Sequence, residues 1–168
     1  MKEYTFYTDI NLYGRDDRPF YEECGNLYLL GNIVDLRFCK KELYREANEK
    51  QNTLLSKYGN KYLTGDRSLL DCNLYTKEEN ILFTYGDTIF QDRVVDRNDN
   101  FIPVRRLMYN LHKVKLNCYA LEYLSIFAFR HSCNTIITGY FNPSSIIDEE
   151  YNGVRIIILP AGRTTLTL

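Results

Sequence analysis

Apolar positions along the chain fall into short β-rich runs, each stopping at a glycine or a polar turn, with helical spacing in two longer stretches. The run Tyr28-Leu29-Leu30-Gly31-Asn32-Ile33-Val34-Asp35-Leu36 organises the rest. It reads as a buried strand that ends at Gly31 and hands its amides to a polar loop. The segments Tyr4–Asn11, Lys61–Arg67, Ile81–Asp87 and Thr135–Asn142 repeat that layout. Strands are therefore predicted over Tyr4–Asp9, Asn26–Gly31, Lys61–Thr64, Ile81–Thr84 and Thr135–Gly139. Two more, Val154–Leu159 and Thr164–Leu168, follow the hairpin dipeptide Asn152-Gly153.

The first helical stretch is Lys40–Lys57, where Leu43, Ala47, Leu54 and Tyr58 share a face and Gly59 supplies the C-cap. The second starts at Pro103 and carries Val104, Leu107, Leu111, Val114, Cys118, Leu121, Ser125 and Ala128 at spacings of three and four. Its charged flank (Arg105, Arg106, His112, Lys113 and Lys115) reads as a solvated face or as a weak anion-binding one. The polar run Asp92–Asn100 reads as an exposed loop. Arg18-Pro19 to Gly25 leaves room for a turn or a short helix only. Strand ends facing one crevice are where open α/β sheets put their sites, so the five tips are expected to converge.

Length and composition narrow this only a little. With 168 residues, 45% of them hydrophobic, the chain reads as one domain over residues 1–168. A net charge of −1 gives no electrostatic case for nucleic acid or an anionic membrane. With no long apolar run and no leader pattern, the expected location is cytoplasmic. Cys24, Cys39, Cys72, Cys118 and Cys133 are widely spaced with no C-x-x-C pair, which favours reduced structural thiols over a metal knuckle or redox motif.

In order, the five tips are Asp9-Ile10-Asn11, Gly31-Asn32-Ile33-Val34-Asp35, Gly65-Asp66-Arg67-Ser68, Thr84-Tyr85-Gly86-Asp87 and Gly139-Tyr140-Phe141-Asn142-Pro143. This series resembles the calcineurin-like metallophosphoesterase family, whose tips run D-x-H, G-D-x-x-D, G-N-H-D/E, T-H-G and G-H-x-H. The resemblance extends to Asn152–Gly162 after the last tip, and so covers nearly the whole chain. It implies a two-sheet α/β (α+β) sandwich flanked by helices. It also implies a dinuclear metal site whose ligands map onto Asp9, Asn11, Asn32, Asp66, Tyr85, Tyr140 and Asn142, with Arg67 at the position of the catalytic histidine.

Only Asp9 of that set keeps the family's residue. Asn32 replaces the bridging carboxylate, and no imidazole remains at any tip; His112 and His131 both fall in the second helical stretch. Two divalent cations held close together need several anionic or strongly donating ligands, which Asn and Tyr do not supply. The resemblance therefore implies a degenerate, catalytically inactive relative with no cofactor, acting as a binding or scaffold module. Its partner would be another protein or a second copy, met through its many tyrosines or an exposed edge within Val154–Leu168.

Three other readings stay open. Asp9, Asp66 and Arg67 could close the site internally, with Tyr85 and Tyr140 filling volume and Asn32 and Asn142 completing the network. The oxygen and amide donors could hold a single Mg or Ca ion, or Mn, and support an atypical phosphoesterase acting on a small phosphodiester or nucleotide. Arg67, with Arg37 or Arg15, could instead hold a phosphate-bearing small molecule without cleaving it.

Overall fold

The computed structural model describes residues 1–63, 73–86 and 118–168. Among them two sheets face each other. One has the order β3-β2-β1-β9, from β1 (Glu3–Thr8), β2 (Asn26–Leu30), β3 (Tyr62–Leu63) and β9 (Gly162–Thr167). The other has the order β4-β5-β6-β8-β7, from β4 (Tyr75–Glu78), β5 (Ile81–Thr84), β6 (Thr135–Thr138), β7 (Ile147–Tyr151) and β8 (Val154–Ile158). Helix α1 (Tyr44–Tyr58) packs on the first sheet and α2 (Cys118–Arg130) on the second. The expected two-sheet α+β sandwich flanked by helices is the observed architecture.

Period-two alternation along the strands divides the apolar residues among three layers. Leu27 and Leu29 of β2 turn outward with Tyr7, to meet Ala47 and Leu54 of α1. Tyr28 and Leu30 turn inward, to meet Phe83, Ile137 and Ile157 across the sandwich. On the second sheet, Leu82, Ile136, Ile156 and Ile158 face outward onto Leu121, Leu124 and Ala128 of α2. Strands buried on both faces explain why these runs read as nearly continuous apolar sequence rather than as clean alternation.

The parallel pairings set where the tips go. β1 runs parallel to β2 and β2 to β3; in the other sheet β5, β6 and β8 are mutually parallel. The C-terminal ends of β1, β2, β5 and β6 consequently open onto one end of the sandwich.

The predicted boundaries hold closely for β1, β2, β5, β6 and β8, and Gly59 caps α1 with φ 49°. The loop from Arg18 to Gly25 has no helix. It is held by Glu22 to Lys50 and Lys57 of α1, and by Glu23 to Arg163 of β9. β4 is an addition: Tyr75-Thr76-Lys77-Glu78 has no apolar pattern and becomes a strand because the Glu79-Asn80 turn folds it back onto β5. His131 lies just past the end of α2 rather than inside the helix, with its ring against Phe127 and Tyr75. The polar run at Asp92–Asn100 and the helical stretch from Pro103 to Asn117 lie outside the described residues. No helix among the described residues is long and apolar enough to cross a membrane.

Candidate functional site

Four of the five tips meet. The third, Gly65-Asp66-Arg67-Ser68, lies outside the described residues, as does Asp87. At the centre stands Tyr85, carried at the end of β5. Its hydroxyl donates to Asp9 Oδ1 at 2.7 Å, across the gap between the two sheets. Its ring packs against the backbone at Gly31 and Gly139. A Cβ on Gly139 would stand 3.2 Å from Tyr85 Cδ2, and one on Gly31 only 2.5 Å from its Cζ. The Tyr140 ring meets it edge-on at 5.5 Å between centroids. Two glycines thus leave the room that one large ring takes up. The carbonyl of Tyr85 accepts from Thr138 Oγ1 at 3.0 Å, which fixes the ring's root as well as its end.

The asparagines pair with their neighbours. Asn32 Nδ2 donates to Asn11 Oδ1 at 3.0 Å, and the Asn32 backbone N–H donates to Asp9 Oδ1 at 3.3 Å. Arg18 closes the loop from behind, donating from Nη1 to the Asp9 carbonyl at 2.7 Å. Beyond the strand ends the first two tips stay zipped together. Asn11 N–H donates to the Asn32 carbonyl at 2.9 Å, Leu12 N–H to Ile33 at 2.8 Å, and Asp35 N–H back to Leu12 at 2.9 Å.

The backbone here is bent into conformations that L-residues avoid. Asp9, Asn11, Tyr140 and Asn142 have φ of 48°, 57°, 66° and 44°. Asn and Asp tolerate that region, whereas a tyrosine in it costs roughly 1–2 kcal/mol. Four positions matched to metal ligands thus share the left-handed backbone, and at Tyr140 it is strained, a feature of the kind that clusters at functional sites.

Asp9 is the electrostatic centre. It is 5% exposed, and burial pushes its carboxyl above the ordinary range, against the hydrogen bonds from Tyr85 and Asn32 and the charge of Arg18. The Asn142 amide favours the ionised form too, but among the described residues Asp9 Oδ2 has no hydrogen-bond partner, and neither does the adjoining Thr8 Oγ1.

That gives a prediction. A carboxyl whose pKa is raised by folding binds protons more tightly in the native state, so stability falls as pH rises from the ordinary carboxyl range through the raised value. Asp9→Asn keeps an acceptor for Tyr85 and places a neutral group where Oδ2 stands. It should stabilise the fold at pH 7 by about 1 kcal/mol and flatten that acid limb. Urea melts of both proteins from pH 4 to pH 8 check this; a less stable variant at every pH would contradict it.

These donors do not fit a dinuclear metal pair. One carboxylate oxygen is taken up by Tyr85 and Asn32, the amides of Asn11 and Asn32 pair with each other, and Tyr85 lies between the tips. Among the described residues, no three His, Cys, Asp or Glu side chains gather as a metal cluster requires. The structure brings Asp9, Asn11, Asn32, Tyr85, Tyr140 and Asn142 to one end of the sandwich. Sequence reasoning missed Arg18, which lies nine residues beyond Asp9 in the same loop and carries no motif.

No protein-family model matches this chain, and no curated protein matches it. Among solved structures it is similar to Vacuolar Protein Sorting 29 from Cryptosporidium parvum, at 13% identity and a TM-score of 0.48. The match covers 95% of this chain and 74% of that one.

Proposed function

We propose that this chain is a metallophosphoesterase-like binding or scaffold module whose strand-tip site is filled from within rather than built for catalysis. The supporting observation is Tyr85, which packs on Gly31 and Gly139 and donates its hydroxyl to Asp9. The position that resembles a metal-binding histidine is instead a space-filling, hydrogen-bonding plug. Catalysis by the family's chemistry needs a metal-bound hydroxide poised between two cations, and the plug occupies the ground on which that pair would assemble.

The test is elemental analysis of the purified protein together with a manganese- and magnesium-dependent assay on bis-p-nitrophenyl phosphate. No stoichiometric metal and no turnover are expected. About two equivalents of metal with turnover would overturn the reading.

A second reading has its own support. Asp9 Oδ2 is a buried carboxylate oxygen with no partner among the described residues, which is where one hard cation such as Mg or Ca could attach and sustain an atypical phosphoesterase. A melting temperature raised by either ion, and no longer raised in Asp9→Asn, would favour it.

The motif correspondence makes a further prediction. Asn11→His, Asn32→Asp, Asp66→Asn, Arg67→His, Tyr85→His, Tyr140→His and Asn142→His made together should confer manganese binding. A folded variant that binds none would sink the correspondence of the tips.

A further inference from the structure

The loops leaving β1 and β2 carry a feature that the tyrosine-filled site does not use. Phe38 is 52% exposed, and two guanidiniums lie over its ring, Arg15 Cζ at 5.0 Å from the centroid and Arg37 Cζ at 5.8 Å. Two like charges gathered on one apolar ring repel each other, and water alone would draw them apart. The loops hold them together. Asp35, only 4% exposed, accepts from the backbone N–H groups of Arg37 at 3.1 Å and Phe38 at 3.3 Å, which fixes the turn presenting the ring. Gly14 brings the Arg15 loop against Asp35, where a Cβ would stand 2.7 Å from Oδ2. The backbone bonds from Leu12 to Ile33 and from Asp35 to Leu12 lock the two loops in register.

The two guanidiniums themselves are left largely unpaired. Among the described residues Arg37 has one long ion pair, 4.0 Å from Asp35 Oδ1, and Arg15 has none; the exposed Asp16 and Asp17 after Arg15, and Glu42 after Lys40 and Lys41, balance the neighbourhood without ion-pairing to either guanidinium. Most donors of two forked cations therefore face solvent beside an exposed aromatic.

We infer that Arg15, Phe38 and Arg37 form a docking point for a phosphate monoester, separate from the tyrosine-filled tips. Two guanidiniums match the two charges and three acceptor oxygens of that dianion, whereas a single carboxylate would neutralise only one of them. The ring holds both forks in place before binding, which lowers the ordering cost. The assignment does not depend on whether the tips bind metal.

The test is NMR titration of the full chain at fixed ionic strength with phenyl phosphate, inorganic phosphate, a phosphoserine peptide and a glutamate peptide. Saturable shifts at Phe38 are expected with phosphates; the inorganic and peptide arms distinguish free phosphate from a phosphorylated side chain. Arg15→Gln and Arg37→Gln, both at solvent-facing positions, should each weaken binding roughly five- to tenfold, and the pair should abolish it. Lysine at either position should not restore full affinity, because the fork is lost. Lowering the pH from about 7.5 to about 5 should weaken binding as the dianion gains a proton near its second pKa of about 6. The assignment is overturned by no saturable shift at Phe38, by undiminished binding in a folded double variant, or by a glutamate peptide that binds as well as the phosphates.

Discussion

Phe83→Ala is expected to cost about 3–5 kcal/mol, the range for emptying a large aromatic from a core that cannot collapse around the gap. Phe83 is fully buried at the centre of the layer between the sheets. It stacks on Tyr28 with centroids 4.3 Å apart and planes 16° from parallel, and meets Tyr4 at 5.6 Å and Phe6 at 6.0 Å. Those neighbours come from β1 and β2 of the opposite sheet, so the void would open where the two sheets hold together. The neighbours cannot follow the ring inward: Tyr28 is tethered through its hydroxyl to Glu78 Oε2 at 3.1 Å, and Tyr4 and Phe6 are anchored in the β1–β2 ladder. Phe129 is the control. It is 78% exposed on α2, and its replacement by alanine should change stability by less than about 0.5 kcal/mol. Urea denaturation of the three proteins decides the matter, and comparable losses for Phe83→Ala and Phe129→Ala would refute the layered core.

That core was largely legible in the sequence, because most of its strands announced themselves by what stopped them. Gly31, Gly86 and Gly139 sit where the chain leaves a strand. Asn152-Gly153 turns β7 into β8 with φ of 51° and 76°. What could not be read was pairing. Nothing in Tyr75-Thr76-Lys77-Glu78 marks a strand; β4 exists because an edge of β5 was available and a two-residue turn reached it. The second helical pattern was read correctly where the structure describes it: Leu121, Ser125 and Ala128 are the buried face of α2.

The site was legible as a place and less so as a mechanism. Motif order put Asp9, Asn32, Tyr85, Tyr140 and Asn142 at strand tips, but only geometry joins Tyr85 to Asp9 across 76 positions of sequence. The internal closure expected from the sequence has Arg67 neutralising both Asp9 and Asp66 while Tyr85 and Tyr140 fill volume; Asp66 and Arg67 lie outside the described residues. The closure that is described uses a phenol and backbone amides. A phenol donates one hydrogen bond without bringing a charge, so Asp9 stays buried with a raised pKa rather than being neutralised by a cation. The same reasoning explains why Arg18 was overlooked. Its hydrogen bond goes to the carbonyl of Asp9 rather than to the side chain, and a contact of that kind leaves no residue pattern.

Gly31→Ala should destabilise the fold by about 2–5 kcal/mol, combining left-handed backbone strain with overpacking. Gly31 has φ of 88°, and a methyl there would enter the Tyr85 ring, 2.5 Å from Cζ and 2.6 Å from Cδ2. The ring cannot swing aside freely, because its hydroxyl is bound to Asp9, its carbonyl accepts from Thr138, and Gly139 lies against it. The two costs can be separated. In Tyr85→Ala the plug is gone, so adding Gly31→Ala should cost only the strain, roughly 1–2 kcal/mol. The difference between the two backgrounds is the coupling energy between Gly31 and the plug, expected at about 1–3 kcal/mol for residues in direct contact. Additive costs would mean that Tyr85 does not fill the space between the tips, and the reading of this end of the molecule as an internally closed site would fail with it. A large coupling, joined to a Tyr85→Ala single variant that gains no affinity for manganese, would mean that Tyr85 fills the space between the tips and that emptying this space does not by itself make a manganese site.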